Sequence, residues 1–231
     1  MRCPIKFWSL GTACVAALFA VQLAHAELVF DNSTGDLLRR FNPGTVEVGD
    51  EIILAGEARL ITNFVFQYYG ENFSGNDEYA RVRFYANDGP LSSGVPRPGT
   101  ILYDSGPFQI TATPRSTLVF DLATLAAGNL WNPGQGILVP SSFTWTVQFY
   151  NLDNNLGFQA GVDLYNPPTT GWDYNSYWDN DPMYGWLLKT NATLPMNFGA
   201  RVEAVPEPNA IALGLGGALL VILFRAGLRR K

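Results

Sequence analysis

The stretch Phe143-Thr-Trp-Thr-Val-Gln-Phe-Tyr150 alternates apolar and polar side chains. Successive side chains of a β-strand point to opposite faces, so one face of this stretch carries Phe143, Trp145, Val147 and Phe149. The other face carries Thr144, Thr146, Gln148 and Tyr150. This pattern predicts a half-buried strand, with one face on a hydrophobic core and the other towards solvent.

The same alternation recurs on both sides of this stretch, at 60–69, 79–86 and 158–165. Shorter apolar runs predict further strands at 51–54, 101–104, 107–112, 117–122, 184–189 and 198–204. Turn residues such as Asn42-Pro-Gly44 separate these runs, and a helical turn is predicted only at 122–129. Many short strands with almost no helix bury their apolar faces by packing two sheets together. The sequence therefore predicts an all-β fold, an antiparallel β-sandwich of the jelly-roll kind, with a closed barrel as the alternative.

Residues 1–26 have the pattern of a secretory signal peptide. Arg2 and Lys6 precede an apolar stretch, and Ala24-His25-Ala26 has the small-x-small form of a cleavage site. Its removal takes away both cysteines and the single histidine of the chain. We therefore expect an exported body without a thiol nucleophile, an imidazole base or a Cys or His metal ligand.

The body from Glu27 to Val205 is acidic. Its 179 residues suit one domain, assigned to 27–204, and contain 19 Asp and Glu against nine Lys and Arg, for a net charge of −10. This sign disfavours nucleic acid as a partner.

The segment 205–231 has three parts in a fixed order. The motif Pro206-Glu207-Pro208 comes first, an uncharged apolar segment at 210–224 follows, and a basic cluster with Arg225, Arg229 and Arg230 comes last. The apolar segment predicts a short transmembrane helix, and the basic cluster places its end on the cytoplasmic side. The body is therefore expected outside the cytoplasm.

This order resembles the PEP-CTERM sorting signal of bacterial exported proteins. The resemblance implies recognition by an exosortase-type protease, a transient stay in the inner membrane, and delivery to the cell surface or extracellular matrix. A plain single-pass anchor is the alternative. The body, through its segments 48–55, 82–90 and 197–201, looks like the uncharacterised exported β-domains that precede such tails. That second resemblance implies no activity.

The segment 171–186 is unusually rich in aromatic residues. We interpret it as a long loop in which aromatic rings and Asp or Asn side chains either pack over one end of the sandwich or bind the faces and hydroxyls of a glycan. The rings considered for glycan binding are Trp172, Tyr174, Tyr177, Trp178 and Trp186.

The same segment offers oxygen ligands for calcium at Asp173, Asn175, Asp179 and Asp181, although their spacing is not that of an EF-hand. Apart from calcium, no cofactor is expected. An enzyme would have to use carboxylates such as Glu57, Glu71, Glu78 and Asp163. Because no pairing of these is evident, the sequence favours a non-catalytic envelope or matrix protein, with a carbohydrate-binding module as the alternative.

Overall fold

Strand β12 (Ser142–Tyr150) lies between two other strands in the middle of a sheet. It pairs antiparallel with β3 (Val48–Ile53) on one side and with β5 (Tyr79–Ala86) on the other. The four apolar side chains of the inward face, from Phe143 to Phe149, are fully buried, as the alternation predicts. Thr144 and Thr146 on the opposite face are also fully buried, so β12 is covered on both sides over this part of its length.

The computed structural model describes residues 25–73, 77–128, 135–152 and 157–207. Pro206 and Glu207 of the predicted sorting motif are described, and both are exposed. The predicted signal peptide up to residue 24, Pro208, the predicted span 210–224, and Arg225, Arg229 and Arg230 lie outside the described residues. Within the described ranges, no helix is long and apolar enough to cross a membrane.

The sheet that contains β12 is called sheet B. Its strand order is β16 (Gly185–Thr190), β15 (Ser176–Asp181), β3, β12, β5 and β8 (Ile101–Asp104). In addition, β14 (Trp172–Asp173) pairs with β3, and β9 (Phe108–Gln109) pairs with β5. A separate small ladder joins β6 (Leu91–Ser92) to β7 (Val95–Pro96). All of these pairings are antiparallel.

The second large sheet is called sheet A. Its strand order is β1 (Glu27–Asp31), β17 (Ala200–Val205), β4 (Leu60–Glu71), β13 (Gln159–Tyr165) and β2 (Asp36–Phe41). In addition, β10 (Thr113–Phe120) and β11 (Ile137–Leu138) both pair with β4. Helix α1 (Leu122–Gly128) follows β10, and the Asp121 carboxylate caps it by accepting a hydrogen bond from the Thr124 backbone N–H at 2.8 Å. This helix confirms the predicted helical turn.

Aromatic rings from the two sheets meet in a single hydrophobic core. Phe64 of β4 contacts Phe84 of β5 with ring centroids 4.9 Å apart, and it contacts Trp145 of β12 at 5.2 Å. The chain passes repeatedly from one sheet to the other, since β3 and β5 belong to sheet B while β4 between them belongs to sheet A. The fold is therefore all-β with antiparallel sheets, which is consistent with a β-sandwich.

Two parts of the structure differ from the sequence-based expectation. The segment 171–186 is not a long loop, because it forms β14, β15 and the start of β16. Strands β1, β2, β6, β7 and β11 were not predicted either. Asp36–Phe41 carries two arginines and no clear alternation, so its pairing with β13 depends on the neighbouring strand rather than on its own pattern.

Candidate functional site

Strand β14 and the residue after it present two aromatic rings to solvent. Trp172 and Tyr174 are 51% and 41% exposed, and their rings make an edge-to-face contact with centroids 4.4 Å apart. Asp173 between them points the other way and is buried, because the side chains of an extended chain alternate. The two rings form what we call the aromatic pair, and it is the exposed part of the predicted glycan-binding set.

The other three rings of that set lie elsewhere. Trp178 is fully buried, and Tyr177 packs against Phe41 with centroids 4.8 Å apart. Trp186 is partly buried and contacts Tyr85 edge to face at 5.5 Å. The structure therefore separates the five rings into one exposed pair, at positions 172 and 174, and three packing residues on β15 and β16. On β15, the adjacent Tyr177 and Trp178 point to opposite faces.

The four predicted calcium ligands are also separated. The Asp179 carboxylate lies 3.9 Å from the Lys189 ammonium group, and Asp181 accepts hydrogen bonds from the backbone N–H groups of Met183 and Tyr184 in the β15–β16 turn. Asp173 and Asn175 remain together, because the Asn197 amide contacts both of them. Among the described residues, no group of three His, Cys, Asp or Glu side chains could hold a metal ion.

Asp173 belongs to a set of buried polar side chains that we call the buried polar cluster. Its members come from four parts of the chain: Asn32 follows β1, Asp50 is in β3, Asp173 is in β14, and Asn197 precedes β17. Asn32, Asp50 and Asn197 are fully buried, and Asp173 is 5% exposed. The cluster thus lies where strands of sheet A and sheet B approach each other.

The two amides of the cluster hold Asp173 between them. Asn32 donates from Nδ2 to Asp173 Oδ2 at 3.0 Å, and Asn197 donates from Nδ2 to Asp173 Oδ1 at 2.7 Å. The backbone N–H of Phe198 donates to Asp50 Oδ2 at 2.8 Å, which brings Asp50 beside the Asn197 segment. In the β3–β14 ladder Asp173 stands opposite Ile52, and Asp50 points to the same face two residues away.

Three oxygen atoms in this cluster have no hydrogen-bond donor among the described residues: Asn32 Oδ1, Asp50 Oδ1 and Asn197 Oδ1. A buried polar atom left without a partner costs about 1–3 kcal/mol. Native proteins rarely leave several such atoms together, so these three oxygens indicate a missing positive or hydrogen-donating neighbour.

The two carboxyls of the cluster are electrostatically unusual. Burial raises the pKa of Asp173 to about 7. Burial also raises the pKa of Asp50 well above its usual range, and the nearby Asp173 and Glu51 carboxylates act in the same direction. The Phe198 hydrogen bond opposes these effects on Asp50. At neutral pH the cluster therefore favours an added positive charge, either a proton or a cation.

A second buried network ties the β15–β16 hairpin to β5 and β12 within sheet B. The Glu47 carboxylate accepts hydrogen bonds from Thr146 Oγ1 at 2.7 Å, Tyr85 OH at 3.1 Å and Asn180 Nδ2 at 3.3 Å. It also pairs with the Arg83 guanidinium at 2.8 Å. Glu47, which directly precedes β3, is thus joined to β5, β12 and β15, and its contact with Thr146 covers that part of the outer face of β12.

The carboxylates considered for catalysis are dispersed. Glu71 and Asp163 both contact the Arg40 guanidinium, at 2.7 and 3.4 Å. Glu57 is exposed, and Glu78 is fully buried with no partner for its carboxylate oxygens in the described part of the chain. The Arg40 side chain stands between Glu71 and Asp163, so these two carboxylates do not face each other across an open cleft.

A shallow groove of about 260 Å³ lies on the outer face of sheet A. Polar side chains of β4, β10 and β17 line much of it: Asn63, Gln67, Thr117, Arg201 and Glu203. Arg201 and Glu203 pair with each other at 2.7 Å, and Gln67 accepts a hydrogen bond from the Tyr165 hydroxyl. The aromatic pair is not part of this groove.

Sequence reasoning identified Asp173 but missed Asn32, Asp50 and Asn197. A signal was present for Asp50, because it alternates with Val48 and Ile52 on the apolar face of β3. Asn32 and Asn197 carry no such signal, since they lie outside regular strands. Comparison with models of protein families, with curated proteins and with solved structures finds no match for this chain.

Proposed function

We propose that the chain is an exported, non-catalytic protein of the cell envelope or extracellular matrix that is sorted through its PEP-CTERM tail. The observation that carries this proposal is the order of three elements in 205–231: the motif Pro206-Glu207-Pro208, the apolar segment 210–224, and the basic cluster with Arg225, Arg229 and Arg230. Its partners are then an exosortase-type protease and, transiently, the inner membrane. Nucleic acid is not a partner, because the body is acidic.

The side-chain contacts of the body support a structural role. Asp163 is fully buried and pairs with both Arg40 and Arg115, while Asp104 pairs with Arg81 and Arg83. The Asp163 pairs join strands within sheet A and the Asp104 pairs join strands within sheet B, so these charged groups tie neighbouring parts of each sheet to one another. We also propose that the two sheets form a jelly-roll sandwich, which the repeated passage of the chain between sheet A and sheet B supports.

Intact mass and cell fraction of the mature protein test the sorting proposal. Both are measured in the native host and in a strain that lacks the sorting protease. We expect a mass ending near Pro208 in the outer-membrane or medium fraction, and loss of that species in the protease-deficient strain. A mass that runs through Lys231 in the inner membrane of both strains would instead establish a permanent anchor.

A second candidate function is carbohydrate binding by the aromatic pair. Trp172 and Tyr174 are adjacent, exposed rings on an extended strand, and large exposed rings of this kind stack on the C–H faces of sugars. Burial of Asp173 between them keeps both rings directed outward. The aromatic pair thus offers two rings for glycan binding, whereas the sequence suggests five.

A glycan array with the wild-type chain, Trp172→Ala and Tyr184→Ala tests this second function. Tyr184 is 66% exposed at the β15–β16 turn and lies outside the aromatic pair, so it provides a matched control. We expect Trp172→Ala to lose glycan binding and Tyr184→Ala to keep it. Absence of binding by the wild-type chain would leave the structural role as the better account. Turnover of a polysaccharide by that chain would contradict the non-catalytic proposal.

A further inference from the structure

The buried polar cluster has the composition of a site for a hard cation. All four of its side chains offer oxygen, and three of the oxygens have no donor among the described residues: Asn32 Oδ1, Asp50 Oδ1 and Asn197 Oδ1. A cation is attracted to carboxylate and amide oxygens and would provide the partner that these atoms lack.

The charge of the cluster points to a divalent ion. Two carboxylates lie together in the interior, and within the described ranges neither Asp50 nor Asp173 has an ion pair with a basic side chain. Buried carboxylates are usually paired with a positive charge, because removing them from water is costly. Two negative charges without a basic partner match one ion of charge +2.

The ligand type favours calcium among the divalent ions. Zinc, copper and nickel prefer nitrogen or sulfur ligands, which the cluster does not offer. Magnesium usually retains several of its water molecules, whereas calcium accepts carboxylate and amide oxygens in a flexible arrangement. The four side chains offer only oxygen, which suits calcium better, and they provide at least four of the roughly six to eight oxygen ligands that calcium takes.

We propose that Asn32 Oδ1, Asp50 Oδ1, Asn197 Oδ1 and the Asp173 carboxylate bind one calcium ion. In this arrangement the Asn32 and Asn197 nitrogens keep their hydrogen bonds to Asp173, which orient the two amide oxygens. Asn175 is exposed and contacts the Asn197 amide at 3.4 Å, so the cluster lies one side chain away from solvent. Asp179 and Asp181 take no part in this site.

The competing occupants are a proton and a buried water molecule. A proton on Asp50 would neutralise one carboxyl and could donate a hydrogen bond, and water could donate to the unpaired oxygens. Neither alternative makes the stability of the protein depend on calcium. The three occupants are therefore separated by the response to calcium and to a chelator.

The test uses the full chain purified in detergent, first treated with chelator and then titrated with calcium. We expect calorimetry to give one bound ion per chain. In about 1 mM calcium, within the affinity range of extracellular calcium modules, Tm should rise by roughly 5–10 °C, with a smaller rise in magnesium. A flat titration of the wild-type chain together with an unchanged Tm would overturn the proposal.

Two variants and a matched control locate the site. Asp50→Asn keeps the shape of the side chain but removes one charge, and Asp173→Asn does the same at the other carboxyl. Both are expected to lose the calcium-dependent rise in Tm, whereas Asp179→Asn, which changes a carboxylate outside the cluster, should keep it. Calcium binding that persists in both cluster variants would place the ion elsewhere and overturn the proposal.

The proton alternative has its own signature. In this case Asp50→Asn has a higher Tm than the wild type in chelator, and calcium changes the Tm of neither protein. That result would show that the cluster holds a proton and that the proposal is wrong. If Asp50→Asn and Asp173→Asn do not fold, the stoichiometry and the chelator response of the wild type still decide between the occupants.

Discussion

Trp172 and Trp178 stand six positions apart in the sequence, yet their environments are opposite. Trp172 is 51% exposed beside Tyr174, whereas Trp178 is fully buried opposite Gly49 of β3. The residue type alone therefore does not tell whether a tryptophan of this segment packs in the interior or faces solvent. What decides the role is the direction in which each strand turns the side chain, and this direction depends on the pairing of β14 and β15 with β3.

This difference predicts unequal effects on stability. We expect Trp178→Ala to lower the free energy of unfolding by about 3–5 kcal/mol, because it removes a large buried ring and leaves a cavity. Trp172→Ala should change it by no more than about 0.5 kcal/mol, since its ring is largely in solvent. Urea unfolding of both variants measures the two changes. Equal losses of stability would show that Trp172 also packs in the interior.

At the scale of elements, strand β10 shows how an irregularity directs a side chain. Its pairing with β4 shifts in register between Thr113 and Ser116, around Pro114 and Arg115. A β-bulge of this kind re-aims the side chains it contains. Arg115 contacts the Asp163 carboxylate at 3.2 Å and Asp36 at 2.8 Å, and so joins β10 to β13 and β2. The Arg115 hydrogen bond lowers the pKa of Asp36.

Replacement of Arg115 tests this connection. We expect Arg115→Met to lower the free energy of unfolding by about 1–3 kcal/mol, because Asp163 is fully buried and, among the described residues, would keep Arg40 alone as a basic partner. The matched control is Arg201→Met, whose pair with Glu203 is exposed and should contribute less than about 1 kcal/mol. The urea midpoint of each variant provides the comparison. Similar midpoints for the two variants would argue against a role of the bulge in stability.

At the scale of the whole molecule, the buried polar cluster links the stability of the fold to pH. In chelator, the pKa values of Asp50 and Asp173 in the folded protein lie above 3.8, the ordinary pKa of an aspartate in the unfolded chain. Both carboxyls therefore bind protons more tightly when the protein is folded. The folded state therefore holds more protons between about pH 4 and 7, so the free energy of unfolding falls as pH rises through this window. Asp36 and Asp104 have lowered pKa values, and their contribution is lost only below about pH 4.

In chelator, we expect the free energy of unfolding to fall by roughly 2–4 kcal/mol between about pH 4.5 and 8. Urea unfolding at a series of pH values measures it. Asp50→Asn provides the control, because it removes one member of the pair and should make the dependence shallower. A free energy of unfolding that rises steadily with pH in chelator would mean that both carboxyls are ionised in the folded protein throughout this window.

The sequence by itself determined the class of fold and most of the strands. Alternation in 143–150 predicted β12 and its buried face, and similar patterns predicted β4, β5 and β13. The physical reason is that a strand on a core must place apolar side chains at every second position, so the pattern is local and can be read along the chain. Helix α1 was also predicted, from the run 122–129, and the structure adds that the Asp121 carboxylate caps it.

Only the tertiary structure decided which side chains meet. Asn32, Asp50, Asp173 and Asn197 are brought together by the pairing of β1 with β17 and of β14 with β3, and these pairings join residues more than a hundred positions apart. The same pairings separated Trp172 from Trp178 and Asp173 from Asp179. Such contacts arise from how two sheets close over one core, and no local pattern in the sequence encodes them.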